Sequence, residues 1–215
     1  MHKTLGMDII EKLEWRYATK KFDINKTLSN KKLNILKRAF NLTATSFGLQ
    51  TITMIIISDK EVRRPLVKYA YNQKQVMEAS HLLVICIQGN ITDHDVDMLF
   101  DNTRSIRKTP DHILDPYRDR LKKTMQKMTI EERQQWSLNQ AFIALGNLMT
   151  VCAVEGIDSC PMEGFMSEEY DRQLHLMEKN LKSVLLLPVG YRAEDDMFAD
   201  FKKVRKTISE STIEM

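Results

Sequence analysis

Four short stretches of this chain carry side chains suited to holding a flat, anionic ligand. In Trp15-Arg16-Tyr17-Ala18-Thr19-Lys20-Lys21-Phe22, Arg16 and Lys20 stand where a first helix should end. A guanidinium offers a carboxylate or phosphate two parallel N–H donors, and an ammonium adds a point charge, so the two can meet one anion in one pocket. Pro161-Met162-Glu163-Gly164-Phe165 follows a short apolar run, and a glycine in such a turn lets backbone approach a ligand closely. Asn72 and Gln75 open a short helical pattern and bring amide donors and acceptors. Lys203 and Arg205 lie in an otherwise polar tail. Taken singly, each stretch has a plainer reading: a basic helix end that suits the macrodipole, a simple turn, a cap with a solvated amide, surface charge.

Other chemistries find no footing. The seven glycines are too far apart for G-x-G-x-x-G or a P-loop. The five histidines are isolated, and neither H-E-x-x-H nor C-x-x-C occurs, so a zinc site is unsupported. There is no G-x-S-x-G. Three widely spaced cysteines, Cys86, Cys152 and Cys160, argue against a disulfide scaffold. The first two sit in apolar runs as ordinary buried thiols, and nothing adjacent in sequence lowers the pKa of Cys160.

The elements that position these residues must come from 215 residues with 43% apolar content and a net charge of +3. That balance excludes a disordered chain and gives no footprint for nucleic acid. No apolar leader opens the chain, and the longest uninterrupted apolar runs are too short to span a bilayer. The expectation is a cytoplasmic, reduced protein with no membrane or nucleic-acid partner.

Periodicity predicts amphipathic helices over Met7–Arg16 and Leu28–Phe40, the second capped by Ser29. Thr51–Ser58, His81–Gln88 and Ser183–Gly190 read as buried strands by β-branched enrichment and length, with a shorter one at Ile157–Pro161. Asp59–Tyr69, Asn72–Ala79 and Ser167–Met177 read as helices. Residues 89–127 form an excursion: irregular to Pro116 apart from a helical piece at His94–Arg107, then helical to Lys127. Ile130–Val154 is apolar on almost every face after Trp136, which predicts a buried central helix, one that could cross a subunit interface. Residues 1–6 read as a loose leader and 195–215 as a polar tail. No composition shift divides the chain, so the expectation is one domain over 1–215, a three-layer α/β (α+β) sandwich.

Together the stretches resemble the FMN-dependent nitroreductase family. Arg16-Tyr17-Ala18-Thr19-Lys20-Lys21-Phe22 is similar to its R-x-S-x-[KR]-x-[FY] opening, and Thr45-Ser46-Phe47-Gly48-Leu49-Gln50 to its S-S-x-[GN]-x-Q segment. Residues Asn72 to His81 resemble its N-x-x-x-x-x-[DE]-A-[SP] stretch, Pro161–Phe165 its P-x-E-G-F turn, Leu187–Tyr191 its last core strand, and Lys203-Val204-Arg205 its terminal K-x-R. These pieces occur in the family's order across roughly residues 8–207.

The resemblance implies a nitroreductase-like fold with a mixed, mainly antiparallel sheet, entwined as a homodimer with two FMN sites at the interface. By carry-over, Arg16 and Arg205 hold the FMN phosphate with Lys203 nearby. Lys20, Asn72 and Gln75 approach the pyrimidine side, and the Glu163–Gly164 backbone faces the N5 edge. Thr45 and Ser46 come from the partner subunit, and the 195–215 tail wraps that subunit. Ala18 stands where many members have Ser, so a side-chain hydrogen bond is lost. Thr51-Ile52 replaces a frequent Pro-Trp. The implied activity is ping-pong hydride transfer from NADH or NADPH through flavin N5 to a small electron-poor acceptor, such as a nitroaromatic or quinone, with no catalytic side chain. Enone reduction, dehalogenation, flavin fragmentation or a non-catalytic FMN-binding dimer are the alternatives on the same fold.

Overall fold

The computed structural model describes residues 5–215, and the side chains from Ile9 onward. Of the expected leader, residues 1–4 lie outside the described part, while Leu5 and Gly6 already belong to helix α1 (Leu5–Trp15). Helix α2 (Asn30–Asn41) follows, and its Ser29 cap accepts from the Lys32 amide at 3.3 Å. Next come strand β1 (Ile52–Ile57), three single-turn helices α3 (Lys60–Arg63), α4 (Leu66–Tyr69) and α5 (Gln75–Glu78), and strand β2 (His81–Gln88). Helices α6 (Asp93–Arg107), α7 (Asp111–Gln126) and α8 (Ile130–Val154) lead to strand β3 (Asp158–Ser159). Helix α9 (Ser167–Gln173), strand β4 (Leu181–Gly190) and a last helical turn α10 (Ile208–Ser211) complete the chain.

The four strands lie in the order β1-β2-β4-β3, and every ladder is antiparallel. A single parallel bridge, Ala18 to Ser159, extends the β3 edge. Side chains alternate across the pleat, and β2 shows what that does. Leu82, Val84 and Cys86 face one core with Val76, Tyr170 and Leu186, beneath α3–α5 and α9. Leu83, Ile85 and Ile87 face the other with Ala141, Leu148 and Cys152 of α8. A strand buried on both faces needs the unbroken apolar run seen in the sequence. The layers are therefore helix, sheet, helix, as expected.

Two sequence expectations change. The expected helical excursion is more regular than its polar stretch suggests: α6 matches the expected piece, α7 begins at Asp111 rather than Pro116, and the two form a hairpin around a small core of Val96, Phe100, Leu114, Leu121 and Met125. Pro116, expected at a helix boundary, sits inside α7 as its sixth residue. It forgoes the one bond its amide would give to the His112 carbonyl. Helix α8 is not buried all round either. Leu145, Leu148 and Cys152 are fully packed, but Phe142 is 40% and Ile143 50% exposed, and a Cβ on Gly146 would meet nothing within 4 Å. By length and composition α8 would suffice to cross a membrane. Its packing under the sheet is that of a core helix with one bare apolar face.

Candidate active site

The C-terminal end of α8 and the short β3 strand build one corner of the molecule. Residues 16–23 leave α1 extended and are held from both sides. The Thr19 amide donates to Ser159 O, the Asp23 amide to Tyr191 O, and the Ala193 amide to Lys21 O. Behind them Arg192 is locked in place. Its guanidinium pairs with buried Asp158 at 2.6–2.7 Å, and its carbon centre lies 4.3 Å from the Trp15 ring and 4.5 Å from the Tyr17 ring. A cation stacked between two aromatic faces and paired to a buried carboxylate has little freedom.

Arg16 lies half-buried beside this post. Burial, and then the charge of Arg205, push its pKa down. Its Nε is buried and has no hydrogen-bond partner among the described residues. Lys203 Nζ donates to the Arg16 carbonyl. Burial, then Arg16, Arg205 and Arg192, lower the Lys203 pKa in turn. Arg16 and Lys203 thus sit among like charges, with Arg205 beside both, and a buried donor is left unused. Such a corner gains most from a multivalent anion.

The turn after β3 forms the neighbouring wall. Gln73 Nε2 donates to Gly164 O at 3.1 Å, which draws the 71–75 segment over the 163–164 backbone. Among the described residues nothing demands glycine at 164: a Cβ there would make only ordinary contacts, at 3.8 Å to Gln73 and 3.9 Å to Tyr71. Tyr71 and Asn72 are held at φ 53° and 60°, a region that L-residues other than glycine seldom enter. Gln75 is buried, at the first turn of α5.

The predicted residues therefore form two groups. Arg16, Ala18 and Lys20 share a corner with Lys203 and Arg205, and the Ala18–Ser159 bridge leads directly into the turn bearing Glu163 and Gly164, with Asn72 and Gln75 adjacent. Thr45 and Ser46 lie elsewhere. The Ser46 amide donates to Gln140 Oε1 at 2.8 Å, while Arg16 sits within electrostatic range of Cys152. Gln140 and Cys152 are twelve residues apart on α8, which puts the two groups roughly 18 Å apart at 1.5 Å per residue.

The Thr45–Gln50 segment is also strained, with Phe47, Gly48 and Gln50 at φ 56°, 73° and 51°. Phe47 stacks on Trp136 at 6.0 Å. Sequence reasoning passed over Asp158, Arg192 and Asp196. Arg192 directly follows Tyr191 in the recognised last-strand motif, but its pairing across the sheet edge carries no sequence signal.

The chain matches the family model described as "Nitroreductase family" over residues 13–191. It belongs to the nitroreductase family. It is 26% identical over 217 residues to the oxygen-insensitive NAD(P)H nitroreductase of Salmonella typhimurium, covering 97% of this chain and 100% of that one. A nitroreductase-like protein from Streptococcus mutans shares the fold at TM-score 0.84, with 22% identity and coverage of 98% and 99%. A family protein from Exiguobacterium sibiricum, crystallised in complex with FMN, superposes at TM-score 0.78, with 20% identity and coverage of 97% and 96%. The nitroreductase-like fold expected from the sequence is thus the fold observed, and its sheet is antiparallel save for the Ala18–Ser159 bridge.

Proposed function

We propose that this nitroreductase-family chain is an FMN-dependent NAD(P)H oxidoreductase working as a homodimer. The observation that carries the reading is the cation corner: Arg16, whose buried Nε has no partner among the described residues, lies with Lys203 and Arg205 near a glycine that no described contact requires. A phosphate dianion fits the first feature and a flat ring system the second. The FMN-bound relative and the names of the curated relatives point the same way.

In this reading Arg16 and Arg205 grip the phosphate and Lys203 adds charge. Lys20, exposed and without an ion pair among the described residues, presents its ammonium to the pyrimidine edge, where negative charge accumulates on reduction. Asn72 and Gln75 offer amide contacts to the same edge, and the Gly164 amide faces N5. Ala18 contributes backbone alone. When bound, FMN supplies the redox chemistry, moving hydride equivalents from NADH or NADPH to an electron-poor acceptor such as a nitroaromatic or quinone. The protein's part is to bind, orient and exclude water.

The separation of roughly 18 Å along α8 supports a shared site. Thr45 and Ser46 stand well away from Arg16 on their own chain, and the bare Phe142–Ile143–Gly146 face offers an apolar seam to a second copy. Incubating the purified protein with FMN, removing free flavin and adding NADH or NADPH without oxygen tests the reading. It predicts retained flavin absorbance that bleaches with nucleotide. Retained flavin that does not bleach contradicts the reductase activity, and no retained flavin contradicts the cofactor assignment.

A further inference from the structure

Asp196 is the last buried residue of the chain, 4% exposed, and every residue from Phe201 onward is exposed. One of its carboxylate oxygens accepts from the Tyr17 hydroxyl at 2.7 Å, the Lys20 amide at 2.9 Å and the Lys21 amide at 3.1 Å. The other accepts from the Phe198 amide at 3.2 Å. Asp196 forms no ion pair among the described residues, so neutral donors alone compensate its charge. A buried carboxylate is tolerable only when its lone pairs are filled in this way. Burial pushes the carboxyl up, but these donors outweigh it and hold it below the ordinary aspartate value.

The placement matters more than the charge. The donors at Tyr17, Lys20 and Lys21 lie on the segment that carries Arg16, Ala18 and Lys20. The donor at Phe198 lies on the tail that reaches Lys203 and Arg205, seven and nine residues beyond Asp196. Past this point the Phe198–Phe201 ring contact at 5.4 Å joins the tail only to itself, and the Lys203 bond to the Arg16 carbonyl is what reaches back to the body. A solvated tail does not place two cations against a half-buried arginine unless its root is fixed.

We propose that Asp196 is the positioning residue of the anion grip, rooting the tail on the Tyr17–Lys21 segment so that Lys203 and Arg205 converge with Arg16. The inference rests on the FMN reading, with the FMN phosphate as the anion gripped. It separates phosphate binding from ring binding, because riboflavin presents the same ring system without the phosphate.

The experiment titrates full-length wild-type protein, Asp196→Asn, Arg205→Ala and the double variant with FMN and with riboflavin. Asp196→Asn is near-isosteric. It should weaken FMN roughly tenfold, the scale of one charge-assisted contact, and riboflavin less than about threefold. Arg205→Ala should cost about tenfold in the wild type but less than about threefold in Asp196→Asn, because a tail already loose has little grip to lose. Equal weakening of FMN and riboflavin, or the same Arg205→Ala cost in both backgrounds, overturns the inference while leaving the FMN reading intact. Wild-type protein that binds neither flavin overturns both. Should Asp196→Asn fail to melt cooperatively, Tyr17→Phe removes one of the four donors. It should then show the same phosphate selectivity at about threefold, and equal loss of both flavins would overturn the inference.

Discussion

The corner around Arg16 and the corner around Ser46 are built in opposite ways. At the first, extended backbone is held by strand-like bonds to β3 and to residues 191–193, and its charges are fixed by Asp158, Arg192 and Asp196. At the second, a short turn carries three positive-φ residues, one tether to Gln140 and one ring stack. The first is organised by electrostatics and the second by shape. In the proposed homodimer, the first corner would serve as the anion grip of one subunit and the second as the wall of the other.

The largest way to break this comparison is Arg16→Ala. It removes the half-buried guanidinium whose Nε has no partner among the described residues, and FMN affinity should fall about 100-fold, as for two charge-assisted hydrogen bonds. Equilibrium titration of flavin absorbance checks it. Asp158→Asn attacks the same corner through its support. Leaving Arg192 without its carboxylate should cost about 2–3 kcal/mol and lower Tm by roughly 5–10 °C in a chain of this size. Differential scanning calorimetry reads the change, and FMN affinity should fall less than in Arg16→Ala.

At the other corner, Gln140→Ala releases the Ser46 amide. One neutral hydrogen bond is worth about 1 kcal/mol, so Tm should drop by roughly 2–4 °C. The phosphate preference of FMN over riboflavin should not change, because the grip lies elsewhere. The smallest effect concerns His81. Ser80 Oγ accepts from the Leu28 amide at 2.8 Å and shares a hydrogen bond with His81 Nδ1, also at 2.8 Å. Burial first, then Arg63 and Lys37, lower its pKa. The unfolded chain therefore takes up the proton first. The stability contribution is complete above the ordinary value of about 6.5 and is lost as pH falls through the folded value. Thermal melts between pH 7.5 and 5 should show a smaller acid loss in His81→Gln than in the wild type.

Much of the fold was legible in the sequence because it rests on local signals. The β2 strand is read to the residue from an unbroken apolar run, and Ser29 caps α2 as its position suggests. What escaped is long-range. The span Gly89–Pro116 carries too many polar residues to reveal the small core it shares with α7, and Pro116 hid that helix's first turn. The bare face of α8 was invisible because apolar residues occupy every face, so periodicity cannot tell packed from unpacked.

Of the site, the cationic and turn residues could be named from ordered motifs. Their supports, Asp158, Arg192 and Asp196, could not, since each acts through a partner far away in sequence. The bonds from Tyr17 and Lys20 to Asp196 join residues 179 and 176 positions apart.

The most direct test of the shared site mixes two defective chains. Arg16→Ala removes the grip, and Ser46→Glu sets a carboxylate on the shaped wall. Each variant alone should bind FMN poorly. Unfolding, refolding and mixing them in equal amounts should restore tight FMN binding to about a quarter of the sites. Half of the dimers are then mixed, and each mixed dimer pairs one intact grip with one intact wall. No recovery in mixtures shown to contain mixed dimers would contradict a site built from two subunits.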